Sequence, residues 1–277
     1  LVGGCGSAED HELKLDLGTD VQVADIDGDG RADVLAVTYQ FGDQPRRGLL
    51  TVRRQVAAGA FTAPEHEVVG CYPWRLALGD FDADLRPDLV VLDVGGCGGA
   101  DAGHVLWLLR QDAARPGRFL AAEQVAAEVR GYGFAVADLN GDGRLDLAFY
   151  RGGAAGDRLV VLPQDPQRPG RFAPAVEFAA PGYLGTMAAG DLDGDGRADL
   201  FLVAYGESSG YVPNTWLGHM VQRPDGTLAP AVLLSAQTGV NVQRLGILDF
   251  GGDGRAGLLA HFTPFSTDFA PFLRALR

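Results

Sequence analysis

The nine residues Asp191-Leu-Asp-Gly-Asp-Gly-Arg-Ala-Asp199 constrain this chain more than any other stretch. Carboxylates stand at loop positions 1, 3, 5 and 9, and the glycine at position 6 permits the positive φ that a tight turn around an ion requires. Carboxylates packed this closely repel one another unless a divalent cation sits between them. The pattern recurs from Asp25, Asp80, Asp138 and Asp249, at intervals of 53 to 58 residues. An acidic surface turn explains one such copy and does not explain a register of five.

The expected Ca²⁺ ligands are therefore Asp25, Asp27, Asp29 and Asp33; Asp80, Asp82, Asp84 and Asp88; Asp138, Asn140, Asp142 and Asp146; and Asp191, Asp193, Asp195 and Asp199. The position-seven carbonyls of Arg31, Arg86, Arg144 and Arg197 complete each set. The first and fourth loops keep every element. The third has one charge fewer, and the second carries Leu85 where glycine would avoid left-handed strain, so it is expected to bind most weakly of the four. In the fifth copy Gly251 and Gly257 replace two ligands, so Asp249 and Asp253 are not expected to hold an ion. An EF-hand also opens D-x-D-x-D-G, but its twelfth position needs a bidentate acid, and here that position is Ala36, Val91, Phe149 or Leu202.

A second marker keeps the same rhythm. Phe61, Phe119, Phe172 and Leu228 each close a turn, and two of those turns read Arg-Pro-Gly-Arg-Phe. The repeat is thus a whole structural unit of the length found in propeller blades. Each unit reads as a short strand, the acidic loop, an apolar strand such as 88–94 or 199–205, a variable loop, a third strand, a turn and a fourth strand. The expected fold is an all-β propeller of five four-stranded blades over residues 11–277, with 1–10 as an N-terminal tail. The fifth unit lacks room for a fourth strand, and the alternating stretch His11–Leu17 is expected to supply it, pairing near Phe269–Leu276 and closing the ring.

Charge excludes some partners. The net charge is -13, but the four complete loops hold fifteen of the 36 acidic residues, and four divalent ions would add eight positive charges and leave -5. Nothing basic is concentrated enough to hold phosphates, so neither nucleic acid nor an anionic membrane surface is an expected partner. Lys14 is the only lysine among 23 basic residues, which with the abundant Ala, Gly and Asp suggests a GC-rich bacterial gene.

Leu1-Val-Gly-Gly-Cys5 looks like the end of a bacterial lipoprotein signal, which makes Cys5 the expected lipidation site and the protein an envelope lipoprotein or a secreted one; the alternative is a glycine-rich tail with an incidental thiol. A membrane is expected only through that anchor. Cys71 lies on the link into the first strand of the second unit and Cys97 in its variable loop. These places emerge on one face of an up-and-down blade, so the two form a disulfide in an exported protein or remain two reduced thiols.

Gly190-Asp-Leu-Asp-Gly-Asp-Gly-Arg-Ala-Asp-Leu200 and Asp-Gly-Thr-Leu-Ala-Pro-Ala-Val at 225–232 resemble the loop and the outer-strand turn of the FG-GAP/VCBS repeat family, the calcium-loop β-propellers related to the integrin α headpiece. The resemblance spans about 11–277. It implies the propeller fold and Ca²⁺ but chooses no activity, because such propellers include adhesion proteins, lectins and domains attached to enzymes.

Gly206-Glu-Ser-Ser-Gly210 matches the G-x-S-x-G string of serine hydrolases, but the residues that follow do not begin a helix, and the five histidines show no metal-ligand spacing. No catalytic residue is assigned. Three classes stay in view: a calcium-stabilised binding module, a structural spacer, and a hydrolase or lyase on a propeller platform. The first is favoured because aromatics gather where the chain enters each unit, on the side away from the acidic loops. Tyr72, Trp74, Tyr132 and Tyr183, with Tyr211 in a variable loop and Arg75 as a hydrogen-bond donor, are the expected contacts for a carbohydrate or protein ligand. The competing role for these rings is to cap the apolar spaces between blades.

Overall fold

The computed structural model describes residues 18–39, 47–95, 104–152, 157–180, 183–205, 214–238, 240–248, 257–264 and 272–276. Every regular element among them is a strand, and no helix among them is long and apolar enough to cross a membrane. The first unit is an antiparallel sheet of β1 (Gly18–Ala24), β2 (Asp33–Tyr39) and β3 (Gly48–Arg53), followed after the small hairpin of β4 (Gln55–Ala57) and β5 (Ala60–Phe61) by β6 (Glu65–Val68). The second has β7 (Pro73–Gly79), β8 (Asp88–Asp93) and β9 (His104–Leu109). Its outer strand is the first half of β10 (Glu123–Ala137), a strand that continues without a break to become the innermost strand of the third unit. There it pairs with β11 (Asp146–Arg151), which leads to β12 (Arg158–Leu162) and β13 (Val176–Ala179). The fourth unit is β14 (Tyr183–Gly190), β15 (Asp199–Tyr205), β16 (Asn214–Met220) and β17 (Val232–Thr238), and the fifth shows three strands, β18 (Val240–Leu248), β19 (Gly257–Pro264) and β20 (Phe272–Leu276).

The apolar second strands are buried on both faces, as their composition requires: β8 is buried along its whole length, and β15 in all but its last residue. They sit between two cores. Leu35, Val37 and Leu50 of the first sheet meet Leu76, Leu89 and Val91 of the second. Val90 and Leu92 turn the other way onto Leu147 and Phe149, and Ala148 and Tyr150 onto Leu200 and Leu202. Phe201 and Val203 carry the series on to Val242. Stacking of this kind, each sheet face covered by the next unit, is the propeller-like arrangement the repeat predicted.

Register makes the units comparable residue by residue. Val21 of β1 occupies the place of Leu76, Phe134 and Met187, opposite the third residue after each loop's final aspartate. Those three are buried against the preceding sheet, whereas Val21 is 42% and its neighbour Val23 61% exposed. The segment His11–Leu17, the tail with Cys5, Cys97, Tyr211, the string Gly206–Gly210 and the fifth acidic loop from Asp249 all lie outside the described residues, as does the side chain of Tyr183.

Candidate cation loops and an aromatic ladder

Each acidic loop joins the innermost strand to the second strand, so its ninth residue is also the first residue of a buried strand. Asp33, Asp88, Asp146 and Asp199 are accordingly shut away from solvent. One oxygen of each accepts the backbone N–H of loop position 2, Leu192 to Asp199 at 2.9 Å and Phe81 to Asp88 at 2.9 Å. The other accepts a backbone N–H from the far end of the unit: Gln55, Gln111, Gln164 and Gln222 at 2.8, 2.8, 3.0 and 2.8 Å. This aspartate therefore ties the loop to the closing turn as well as facing the cluster. Burial pushes the carboxyls of Asp88 and Asp146 up to about 6 and raises that of Asp199, against the pull of these hydrogen bonds.

The loop itself is wound by its first residue. Asp191 accepts the N–H groups of Gly194 at 2.7 Å and Gly196 at 2.8 Å, and Asp25 does the same with Gly28 and Gly30 at 2.8 Å each. The Gly30 N–H is the chief reason that the Asp25 carboxyl lies below its ordinary value. This winding puts both position 4 and position 6 at positive φ: 84° for Gly194 and Gly196, but 60° and 66° for Ala83 and Leu85 in the second loop. There, L residues carry a conformation that glycine holds freely. In each of the four described loops the position-seven arginine turns its guanidinium onto the position-five aspartate, as Arg31 on Asp29, Arg86 on Asp84, Arg144 on Asp142 and Arg197 on Asp195.

Three groups bring carboxylate oxygens within 4.8 Å of one another: Asp25, Asp27 and Asp29; Asp80, Asp82 and Asp88; and Asp191, Asp193 and Asp199. Oxygens at this separation fit the surface of a sphere of about 2.3–2.6 Å radius, the Ca²⁺–oxygen distance. The donor set is hard oxygen alone, and Asp82 supplies a further sign of fit, because its Oδ1 is buried with no hydrogen-bond partner and its carboxyl is raised, first by burial and then by Asp84 and Asp80. These residues can hold a calcium-like cation. In the third loop Asn140 takes position 3 and accepts the Asp142 N–H at 2.9 Å, the turn that Asp27 and Asp193 make in theirs.

At the other end of the strands the structure gathers Tyr72, Trp74 and Tyr132, with Tyr39 and His104, into one ladder. Tyr39 stacks on Tyr72 with ring centroids 3.9 Å apart, Tyr72 lies 6.1 Å from Trp74, Trp74 lies 5.5 Å from Tyr132, and Tyr132 lies 5.9 Å from His104. The ladder crosses three units. Bulges make it: the register of β7 with β8 slips between Pro73 and Arg75, and that of β10 with β11 between Arg130 and Phe134, so Trp74 and Tyr132 stand in the slipped segments. The rings of Tyr72 and Trp74 face their neighbours, and Tyr132, 50% exposed, is the ladder's most open ring.

Sequence reasoning missed the residue that fastens this edge. Asp93, buried at the end of β8, accepts the backbone N–H groups of Cys71 and Tyr72 at 2.8 Å each and of Gly95 at 2.9 Å. Its signal was a second aspartate ending an otherwise apolar run. Cys71 itself is disulfide-bonded.

Comparison with known proteins matches residues 25–91 and 80–149 to the model of an FG-GAP-like repeat and residues 184–214 to that of the FG-GAP repeat, together more than half of the chain. No curated protein matches it. Among solved structures it is similar to one described as the crystal structure of BBS1N in complex with ARL6DN, soaked with mercury, at a TM-score of 0.46 and 16% identity, over 91% of this chain and 66% of that one.

Proposed function

We propose, for a chain that belongs to the FG-GAP repeat family, that it serves as an extracytoplasmic, non-catalytic propeller whose acidic loops hold Ca²⁺ and whose opposite edge binds a carbohydrate or protein ligand. The observation that carries this reading is the division of labour between the two ends of the strands. One end repeats the same carboxylate loop in unit after unit, while the other assembles rings from three units into a single surface feature. Rings with polar tips are the residues on which binding energy concentrates. Tyr132 and Trp74, with Arg75 beside them, are the proposed contacts, to which the sequence reading adds Tyr183 and Tyr211.

Export accords with the disulfide at Cys71, for which Cys97 is the proposed partner, since such bonds persist in oxidising compartments. Lipid attachment at Cys5 would place the propeller on a bacterial envelope. Five units closing into a ring, with His11–Leu17 completing the last sheet, would also cover the apolar Val21 and Val23. Deletion of residues 1–18 is then expected to cause aggregation or loss of cooperative unfolding, and a deletion that melts like the parent contradicts closure.

A glycan and peptide array, probed with calcium and with chelator, tests the function. Binding that Tyr132→Ala and Trp74→Ala abolish while the calcium-dependent melt persists is the expected outcome. Binding unaffected by either substitution would place the ligand elsewhere.

A further inference from the structure

Two of the glutamines that close the units, Gln222 and Gln111, also bond across to the preceding unit. The backbone N–H of Gln222 donates to Asp199 in its own loop at 2.8 Å, but its buried side chain crosses to the third unit, where Nε2 donates to the carbonyl of Asp138 at 3.0 Å. Gln111 repeats the arrangement one junction earlier: its N–H goes to Asp88, and its Nε2 to the carbonyl of Ile26 in the first unit's loop at 2.9 Å and to Pro87 at 3.0 Å. Gln164 differs, its Nε2 reaching only Leu145 of its own loop at 3.5 Å, and there the crossing bond is the N–H of Gly170 to the carbonyl of Phe81 at 3.0 Å.

The turn that follows each glutamine presses on the same preceding loop. Gly117, Gly170 and Gly226 all have positive φ, and a Cβ added to them would meet Asp27 Cβ at 3.1 Å, Asp82 Cβ at 3.3 Å and the carbonyl of Asn140, respectively. Positions 1 to 3 of a loop, which bring two of its ligands, are thus braced from the next unit.

We propose that Gln222 and Gln111 are positioning residues for cation binding in the preceding unit, so that the affinity of each of those loops is set by two units rather than one. This rests on the reading of the loops as calcium sites. Removing the amide takes the donor from a loop carbonyl and frees the first ligands to wander, which corresponds to a roughly five- to tenfold loss of affinity in the loop next door.

The test is a calcium titration of the full chain followed by hydrogen exchange on peptides covering 138–146 and 191–199. In Gln222→Met the calcium midpoint of 138–146 is expected to rise roughly five- to tenfold while that of 191–199 stays within about twofold. Gln164→Met, whose side chain bonds nothing in the second unit, is expected to leave 80–88 unchanged. Equal shifts in both peptides, or none in 138–146, overturn the proposal while leaving the calcium sites standing. A parent chain whose loops show no calcium response overturns the calcium reading and this inference with it. Should Gln222→Met fail to fold, Gln111→Met read on 25–33 against 191–199 decides the matter by the same criteria.

Discussion

The two ends of the strands were built by different means. At the acidic end, four loops repeat one set of hydrogen bonds nearly atom for atom: position 1 winds the turn, and position 9 takes an N–H from position 2 and another from the closing glutamine. At the aromatic end the register slip of the innermost strand recurs from unit to unit, but the ring contacts do not repeat among the described residues. Tyr39, Tyr72, Trp74, His104 and Tyr132 come from different strands and links and meet once. Repetition marks the part that every unit needs in order to fold and dock, and the unrepeated cluster is the part proposed above to meet a ligand.

The largest expected effects separate the two ends directly. Asp199→Ala leaves the N–H groups of Leu192 and Gln222 without acceptors, and Asp93→Ala does the same to Cys71, Tyr72 and Gly95. Each is expected to cost about 2–4 kcal/mol in urea unfolding. They should differ in calcium response: Asp199→Ala shrinks the calcium-induced rise in melting temperature, and Asp93→Ala keeps it whole. If both variants lose it equally, the ends are not independent.

A smaller effect sharpens the comparison within the acidic end. Leu85 is 93% exposed and held at φ 66°, so Leu85→Gly removes left-handed strain and loses no packing. It is expected to stabilise the protein by about 0.5–1 kcal/mol after glycine's own entropic cost, and to tighten the second loop for calcium. Denaturant midpoints with and without calcium read both effects, and a destabilised variant would show that Leu85 is packed in solution.

The smallest effect belongs to the aromatic end. Burial holds the His104 imidazole below its ordinary value, with an opposing push from the Gly131 carbonyl, 2.9 Å from Nδ1. A histidine whose folded value is depressed favours the folded state fully above its unfolded value of about 6.5 and loses that contribution as pH falls below it. Titration of the His104 ring protons by NMR is expected to give a midpoint below 6.5, and a midpoint above it would place His104 in a solvated or anionic setting instead.

What the sequence revealed follows the same division. The loops and the doubly buried second strands could be read because each is local, and their recurrence at intervals of 53 to 58 residues set the unit length. The aromatics could be named one by one from where the chain enters each unit, but not as a ladder, because Tyr39 and Tyr132 are joined only through bulges whose slip no local pattern announces. The unbroken β10 was hidden for a related reason, since Glu123–Ala137 contains Gly131 and Gly133, which are accommodated in the slipped segment. Gln111 and Gln222 were missed although they recur, because a glutamine ahead of a turn looks like ordinary surface until the next unit is docked on it.

The central claim, that the acidic end is a set of cation sites on which the folded array depends, is tested most directly by calorimetric melting of metal-stripped protein in excess chelator and in excess calcium. Each loop filled at a hundred times its Kd adds about 2.7 kcal/mol to the folded state, so calcium is expected to raise the melting temperature by several degrees at least. Superimposable melts in chelator and calcium would contradict the account.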